Sequence, residues 1–218
     1  MFLEVTDLLT AEEVARLRQI AETARFVDGK TSNPASVKNN LQQDPQDPAY
    51  RTSSALVHAA MMRNDKVTDF TLATKVLPPL LTRHEVGMNY GPHADNAYMS
   101  APPQSFRADI SCTVFLSDPA SYEGGELCVH LGTRPVLFKL PPGGAIFYPS
   151  STLHEVKPVT SGVRLAAITF IESQIASSPH REMLYELGEV LTQDGQALQW
   201  HNRVRLSVVR QALIREWS

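Results

Sequence analysis

Short β-favouring runs fill the chain between residues 81 and 173, and Gly, Pro, Asp and Ser divide them from one another. These runs are "RHEVGMNY", "DISCTVFLS", "GELCVHL", "PVLFKL", "GAIFYP", "HEVKPV" and "VRLAAITFI". About seven or eight strands with these spacings favour a sandwich or a rolled barrel rather than a parallel α/β sheet. The sequence therefore predicts a mainly β core.

Helical patterns flank this core on both sides. In "TAEEVARLRQIAETA", Thr10 and Glu13 have capping-box spacing. The apolar stripe of this helix is Val14, Leu17, Ile20 and Ala21. After residue 178, "HREMLYELGEVL" and "NRVRLSVVRQALIREW" again show helical periodicity. The plan is helices, β-core, helices.

The segment between the first helix and the core contains two different patterns. Residues 29–50 are polar and proline-rich, which predicts a long surface loop or an active-site flap. Residues 53–77 predict a second helix that stops before Pro78 and Pro79.

Length and composition indicate one main domain. A chain of 218 residues with 43% hydrophobic content can bury one sizeable core. We expect a domain over residues 1–178, with its N-terminal helices in 1–80 and its β-core in 81–173, and a helical extension over 179–218. The net charge of −3 argues against nucleic acid as a partner. The C-terminal helices offer a surface for a homodimer.

The cysteines and the N-terminus predict a cytoplasmic protein. Cys112 and Cys128 lie outside any C-x-x-C pair, so we expect both to pack as small apolar side chains in a reducing compartment. The first residues, "MFLEVTDLLTAEEV", have neither a basic leader nor a long apolar run. Neither a signal peptide nor a membrane span is expected.

The stretch "NYGPHADNAYM" suggests a metal site. Residues two apart on a strand share a face, so His93 and Asp95 can point the same way. His154, in "YPSSTLHEVKPV", is the candidate third ligand. Two imidazoles and one carboxylate leave open positions on an octahedral metal, as in non-haem Fe(II) oxygenases. Zinc is the competing metal on ligand type alone.

Arg164 favours the oxygenase over the zinc interpretation. It follows His154 by ten positions and lies on the next predicted strand. An arginine inside a β-core needs an anion, and its planar fork matches a carboxylate such as that of 2-oxoglutarate. The alternative is an ion pair with Glu172 or Asp109.

These residues and their surroundings resemble the Fe(II)/2-oxoglutarate dioxygenases, and among them the bacterial PKHD-type (prolyl and lysyl hydroxylase-like) hydroxylases linked to iron uptake. The likeness covers nearly the whole chain. Its motifs are "VDGK", "VKNNLQ", "EVGMNYGPHADNA", "DISCTVFLSDPASYEGGELCVH", "LPPGGAIFYPSSTLHEVKPVTSGVRLAAITFIES" and a helical tail.

The resemblance implies a double-stranded β-helix, the jelly-roll core of cupin-like proteins. It implies that His93, Asp95 and His154 bind Fe(II) and that Arg164 binds the distal carboxylate of 2-oxoglutarate. The implied reaction uses O2 and hydroxylates a small-molecule or peptidyl substrate, while 2-oxoglutarate is decarboxylated to succinate and carbon dioxide. Ascorbate is the implied reductant.

Two positions depart from the family pattern. Relatives usually read "RYEVGM" where this chain has His84, and "WIQS" where it has "FIES" beginning at Phe170. His84 either donates a hydrogen bond to the cosubstrate in place of a tyrosine hydroxyl or is a solvated strand histidine. Strand alternation turns Phe170 inward with Arg164, so the lost indole enlarges the predicted pocket.

Further candidates border the predicted site. Tyr90 either lies near the substrate mouth or is a core aromatic with its hydroxyl in water. Thr113, Phe115 and Leu127 form either the cosubstrate wall or ordinary barrel packing. Asn96 is a candidate brace for Asp95.

Two rival functions stay open from the sequence. In a non-enzymatic metal-binding or sensing barrel, the triad would be structural and Arg164 incidental. A zinc hydrolase needs a general base beside His154, and the candidate, Glu155, is turned outward by strand alternation.

Overall fold

The structure is a computed structural model that describes residues 1–33, 37–101 and 104–218. Its helices are α1 (Ala11–Thr23), α2 (Tyr50–Met62), α3 (Asp65–Thr71), α4 (Ser178–Gln193) and α5 (Trp200–Trp217). Its strands are β1 (Leu3–Val5), β2 (Phe26–Asp28), β3 (Lys38–Asn39), β4 (Leu41–Gln43), β5 (Ala73–Val76), β6 (Leu80–His84), β7 (Asn89–His93), β8 (Tyr98–Ala101), β9 (Gln104–Arg107), β10 (Ile110–Phe115), β11 (Tyr122–Gly124), β12 (Leu127–Leu131), β13 (Arg134–Phe138), β14 (Ala145–Pro149), β15 (His154–Val156), β16 (Val159–Gly162) and β17 (Arg164–Ser173).

Two antiparallel sheets form the body of the protein. Among the described residues, the larger sheet has the order β1-β14-β10-β17-β6-β4-β2, with β5 beside the end of β17. The smaller sheet has the order β13-β12-β15-β7-β3, and β8-β9 and β11-β16 form two-stranded ribbons. The predicted mainly β core with flanking helices is confirmed.

Alternation along the strands divides the buried side chains into two clusters. On β10, Val114 belongs to the larger cluster, which contains helix residues such as Leu17 and Met61. The next residue, Phe115, belongs to a smaller cluster with Leu127 of the opposite sheet. Consecutive residues of a strand point to opposite faces, so β10 contributes to both clusters. The smaller cluster lies between the sheets and forms the floor of the site described below.

The first predicted helix is confirmed as α1. Thr10 accepts a hydrogen bond from the backbone N–H of Glu13 (3.2 Å), and the Glu13 carboxylate accepts one from the backbone N–H of Thr10 (2.9 Å). The stripe that the periodicity predicts is buried against the larger sheet and the neighbouring helices, as listed: Val14, Leu17, Ile20 and Ala21.

The prediction of one helix over residues 53–77 is wrong. Asn64 ends the first helical run and caps α3, because its side chain accepts a hydrogen bond from the backbone N–H of Val67 (3.1 Å). Leu72 then adopts a left-handed conformation (φ 43°), which stops α3. The remaining residues form β5, whose Val76 pairs with Ile171 of β17. Sheet pairing overrides the helical periodicity of this segment.

The prediction of a long loop over residues 29–50 is only partly right. Residues 34–36 of this segment lie outside the described residues, but β3 and β4 lie within it. Gln42 and Gln43 of β4 are buried, and the Gln43 side chain accepts a hydrogen bond from the hydroxyl of Ser53 (2.7 Å). A buried strand with polar side chains has no hydrophobic pattern by which to recognise it.

The helical tail is confirmed as α4 and α5. The ribbon strands β8, β9 and β11 and the edge strand β1 were not anticipated. Within the described part of the chain, no helix combines the length and apolar character needed to cross a membrane.

Replacing Thr10 with alanine removes the side-chain acceptor that caps α1. We expect the Thr10→Ala variant to lose about 1 kcal/mol of unfolding free energy. Urea denaturation measures this loss as a lower midpoint at an unchanged slope. Thr6→Ala, at an exposed turn position, is the control and should keep the wild-type midpoint. Equal midpoints for all three proteins would contradict the capping role.

Candidate metal centre

His93 and His154 lie beside each other in the smaller sheet. β7 and β15 are antiparallel neighbours, and their register pairs these two residues. The centroids of the imidazole rings are 4.2 Å apart. Asp95 follows β7, and its backbone N–H donates to the carbonyl oxygen of Ser150 (3.0 Å). The sheet pairing thus brings together side chains that are about sixty positions apart in the sequence.

The three side chains direct their donor atoms at one region. His93 Nε2 lies 3.7 Å from Asp95 Oδ1, and His154 Nε2 lies 3.6 Å from Asp95 Oδ2. All three ligating atoms lie within 4.8 Å of one another. A divalent metal can therefore contact all three side chains at once after small movements.

Both imidazoles are held in the form that binds a metal. Nδ1 of His93 is 2.8 Å from the carbonyl oxygen of Gly91, and Nδ1 of His154 is 2.9 Å from that of Thr152. A carbonyl oxygen only accepts, so each Nδ1–H donates, and the neutral form of each imidazole therefore has its lone pair on Nε2. Burial, followed by the charge of His154, lowers the pKa of His93 and favours the neutral ligand form.

Ser111 braces the carboxylate. Its hydroxyl donates to Asp95 Oδ2 (2.6 Å) and lies 2.8 Å from the hydroxyl of Ser150. The prediction that Asn96 braces Asp95 is wrong, because Asn96 is exposed on the turn and the hydrogen bond to the carboxylate comes from β10. A hydrogen-bonded carboxylate is fixed in orientation, which prepares it for metal binding.

Arg164 is buried between the sheets and has no acidic partner among the described residues. Only 2% of its surface is exposed, and its Nε has no hydrogen-bond partner in the described part of the chain. The guanidinium carbon lies 5.7 Å from the centroid of the Phe115 ring. Burial lowers the pKa of Arg164, although an arginine stays protonated at neutral pH. A buried, unpaired cation is costly unless a ligand supplies the anion.

Both protein carboxylates proposed as alternative partners of Arg164 are paired with other cations. Glu172 pairs with Lys75 (3.3 Å), and Asp109 pairs with Arg107 (2.8 Å). The alternative of an internal ion pair for Arg164 is therefore wrong.

Gly125 makes room for the Arg164 side chain. Its backbone is left-handed (φ 66°), and a Cβ there would lie 3.1 Å from Cδ of Arg164 and 3.1 Å from Cε2 of Tyr122. A larger residue at this position would be strained and would crowd the arginine.

His84 faces Arg164 across β6 and β17, where the two residues are register partners. It is 2% exposed, and within the described residues neither ring nitrogen has a hydrogen-bond partner. Burial, then the charges of Arg164 and Lys38, holds its pKa well below the usual value. The alternative of a solvated strand histidine is wrong. A neutral buried imidazole retains one unused N–H donor and one unused acceptor.

The predicted wall residues lie together between the sheets. Phe115 and Leu127 belong to the inter-sheet cluster, and Thr113 is buried on the same face of β10. Tyr148 belongs to this cluster and packs edge-on against His154 with centroids 5.0 Å apart. Burial raises the pKa of Tyr148 well above its ordinary value, so its phenol stays protonated.

Tyr90 stacks on the imidazole of His93. Its ring lies 3.6 Å from that of His93 at an interplanar angle of 15°. Lys38 of β3 places its ammonium 5.4 Å from the centroid of the Tyr90 ring and donates to the hydroxyl of Ser32 (2.9 Å). The sequence patterns did not single out Lys38, because its segment has the composition of a loop.

Comparison with known proteins identifies the family. Residues 79–172 match the 2OG-Fe(II) oxygenase superfamily. A PKHD-type hydroxylase of Sphingopyxis alaskensis is 47% identical over 215 residues, which are 98% of each chain. One of Thermosynechococcus vestitus is 39% identical over 193 residues, covering 87% of this chain and 86% of that one. The chain belongs to the PKHD-type hydroxylases.

Solved structures share the fold of this PKHD-type hydroxylase. A Pseudomonas putida prolyl-4-hydroxylase matches 79% of this chain and 92% of its own with a TM-score of 0.54 and 18% identity. A Trichoplax adhaerens prolyl hydroxylase, in complex with a peptide fragment, matches 79% and 84% with a TM-score of 0.58 and 16% identity. At these identities the likeness concerns the fold, and it confirms the predicted jelly-roll core.

Membership in the family implies Fe(II) and 2-oxoglutarate, and the residues of this hydroxylase fit both. Two imidazoles and one carboxylate form the donor set that non-haem iron oxygenases use. The guanidinium of Arg164 is buried nearby between the sheets, and its Nε has no partner among the residues that the structure describes. It fits the second carboxylate of a dianionic keto acid.

Phe170, the second departure from the family pattern, borders the same region of the hydroxylase. It is the register partner of Ser111, so both side chains project from one face of the larger sheet. Phe170 is half-buried. The enlargement of the pocket by a phenyl ring at this position stays a prediction.

Removing the hydroxyl of Ser111 should loosen the metal centre. We expect Ser111→Ala to weaken Mn(II) binding about 10- to 100-fold, because Asp95 loses its orienting hydrogen bond. Isothermal titration calorimetry measures the change. The control, Ser121→Ala, alters an exposed turn and should bind Mn(II) like the wild type. Unchanged affinity in Ser111→Ala would show that Asp95 needs no brace.

Proposed function

We propose that this protein is a hydroxylase in which His93, Asp95 and His154 hold Fe(II) and Arg164 binds the distal carboxylate of 2-oxoglutarate. The burial of Arg164 without a protein anion is the observation that carries this proposal. A buried charge without a counter-ion destabilises the fold unless a bound ligand compensates its desolvation. Binding a carboxylate at the guanidinium accounts for that cost.

The triad leaves room for the reactants. Three protein ligands on one face of an octahedral ion keep the remaining positions available to a cosubstrate and dioxygen. When bound, Fe(II) supplies the redox chemistry that couples decarboxylation of 2-oxoglutarate, to succinate and carbon dioxide, with hydroxylation of the substrate.

The other side chains position the cosubstrate and exclude water. Phe115 and Leu127 provide the apolar wall of its chamber, and Thr113 is polar on the same wall. His84 has an unused N–H donor beside Arg164, so it is the proposed hydrogen-bond donor to a cosubstrate oxygen. Tyr90, stacked on His93, is the proposed border of the substrate mouth.

The substrate classes proposed are a peptidyl residue, a free amino acid and a siderophore-related molecule. The peptide in the Trichoplax structure supports the first class by analogy of fold. Ascorbate is the proposed reductant for the iron.

The structure argues against both rival functions. A non-catalytic metal-binding barrel has no use for a buried guanidinium beside the triad. A zinc hydrolase lacks its base, because Glu155 contacts Lys157 (2.8 Å) and His130 (3.6 Å) on the outer face of the sheet. Neither contact faces His154.

For the domain plan we propose a catalytic unit over residues 1–178 and a helical extension over 179–218. β17 ends at Ser173 and α4 begins at Ser178, so the boundary falls where the sheet is complete. The extension exposes Trp200, Val208 and Val209, which are apolar side chains suited to a homodimer contact.

Arg164→Gln tests cosubstrate binding directly. Calorimetry with 2-oxoglutarate on the Mn(II)-loaded protein should show an affinity about 100-fold lower than in the wild type, because a buried charge pair is lost. The control is Arg83→Gln. Arg83 precedes His84, stacks on Phe26 and donates to the carbonyl of Ala21 on the opposite face. Equal affinity in wild type and Arg164→Gln would show that the guanidinium does not bind 2-oxoglutarate.

Turnover tests the reaction itself. Protein loaded with Fe(II) and 2-oxoglutarate under anaerobic conditions should release succinate on exposure to oxygen, even without the primary substrate. Asp95→Ala should abolish release, because the metal loses its carboxylate ligand. Absence of 2-oxoglutarate turnover, with candidate substrates and without them, would contradict the proposed function.

A further inference from the structure

A second cluster of potential metal ligands lies on the outer face of the smaller sheet. On β12, Leu127 and Val129 face the inter-sheet cluster. The alternate residues of this strand, Cys128 and His130, therefore face outward. On β15, Glu155 follows His154 and likewise faces outward. The register places Cys128 directly opposite Glu155.

The other neighbour of Cys128 shows that this face looks toward solvent. Leu137 of β13 is its register partner and is 57% exposed. Cys128 itself is buried. The cluster therefore places a buried thiol beside the partly exposed side chains of His130 and Glu155.

The donor atoms have the spacing of ligands that share one ion. Cys128 Sγ lies 3.8 Å from His130 Nε2, which lies 3.6 Å from Glu155 Oε1. All three atoms lie within 4.8 Å of one another. Tetrahedral zinc with ordinary bond lengths would separate sulfur from nitrogen by about 3.6 Å and nitrogen from oxygen by about 3.3 Å. Shifts of a few tenths of an ångström complete that geometry.

The ligand types select a different ion from the one that suits the triad. Thiolate with imidazole and carboxylate favours zinc and similar thiophilic divalent ions. The triad of imidazoles and carboxylate has no sulfur. The two clusters therefore differ in chemistry as well as in the face of the sheet that they occupy.

Lys157 competes for the same carboxylate. Its ammonium lies 2.8 Å from Glu155 Oε1, and its side chain is 42% exposed. A flexible, solvated lysine can leave the carboxylate at little cost, because exposed ion pairs contribute little free energy. An incoming dication replaces this single charge.

We propose that Cys128, His130 and Glu155 form a second metal site, for a thiophilic divalent cation such as zinc, that is independent of the iron triad. An ion there would join β12 to β15, the strand that presents His154 on its other face. Its occupancy would stabilise the sheet from outside the active centre. The proposal does not depend on the hydroxylase function.

Cobalt is the probe, because a thiolate ligand gives Co(II) a sulfur-to-metal charge-transfer band in the near ultraviolet. The experiment uses the full chain with the triad disabled by His93→Ala and Asp95→Ala, its thiols reduced by a non-chelating phosphine. We expect one equivalent of Co(II) to produce the band and zinc to displace it. Zinc should also raise the unfolding temperature of this protein.

The two buried cysteines provide a matched pair of variants in that background. Cys128→Ala should eliminate the band, and Cys112→Ala should retain it. His130→Ala and Glu155→Gln should weaken the affinity at least about tenfold, whereas Lys157→Met should tighten it about 2- to 5-fold. Absence of a band in the triad-disabled chain, or a band that survives Cys128→Ala, would overturn the proposal. This experiment measures metal binding and does not measure hydroxylase activity. Its outcome is therefore independent of whether the proposed function is correct.

Discussion

A guanidinium buried in the β-core, with no counter-ion among the described residues, is the constraint on which the proposed active centre depends. Arg164 is enclosed by the Phe115 ring, the neutral His84 and the backbone of Gly125, and none of these supplies a negative charge. The acids Asp109 and Glu172 lie at the other end of β17 and are paired with other cations. The fold therefore carries an electrostatic cost that a bound carboxylate offsets. In the proposed function, a keto acid with a second carboxylate would bind both the arginine and the metal.

Because side chains alternate along a strand, the two faces of the smaller sheet carry different clusters of potential metal ligands. His154 points to the inside of the barrel and its neighbour Glu155 to the outside, so adjacent residues serve separate clusters. The same geometry puts Ser111 beside Asp95 while Cys112 packs under the helices. The outer cluster thus lies directly behind His154, a proposed ligand of the iron.

Much of this architecture could be predicted from the sequence where local chemistry and tertiary structure agree. The cap at Thr10 and the alternation along β10 are local signals, and both elements form as expected. The sequence failed where long-range pairing decides. Residues 73–76 have helical periodicity but form β5, which pairs with the end of β17. Gln43 is a polar residue that is buried on a strand. Asn96 is adjacent to Asp95 in sequence, yet Ser111 holds the carboxylate because β10 passes beside it.

The most direct test is a crystal structure of the protein grown anaerobically with Fe(II) and 2-oxoglutarate, with anomalous scattering recorded at the iron edge. The account predicts a single iron peak in contact with Nε2 of His93, a carboxylate oxygen of Asp95 and Nε2 of His154. It also predicts one carboxylate of 2-oxoglutarate on the guanidinium of Arg164. Iron away from these three side chains, or 2-oxoglutarate bound without contact to Arg164, would contradict it.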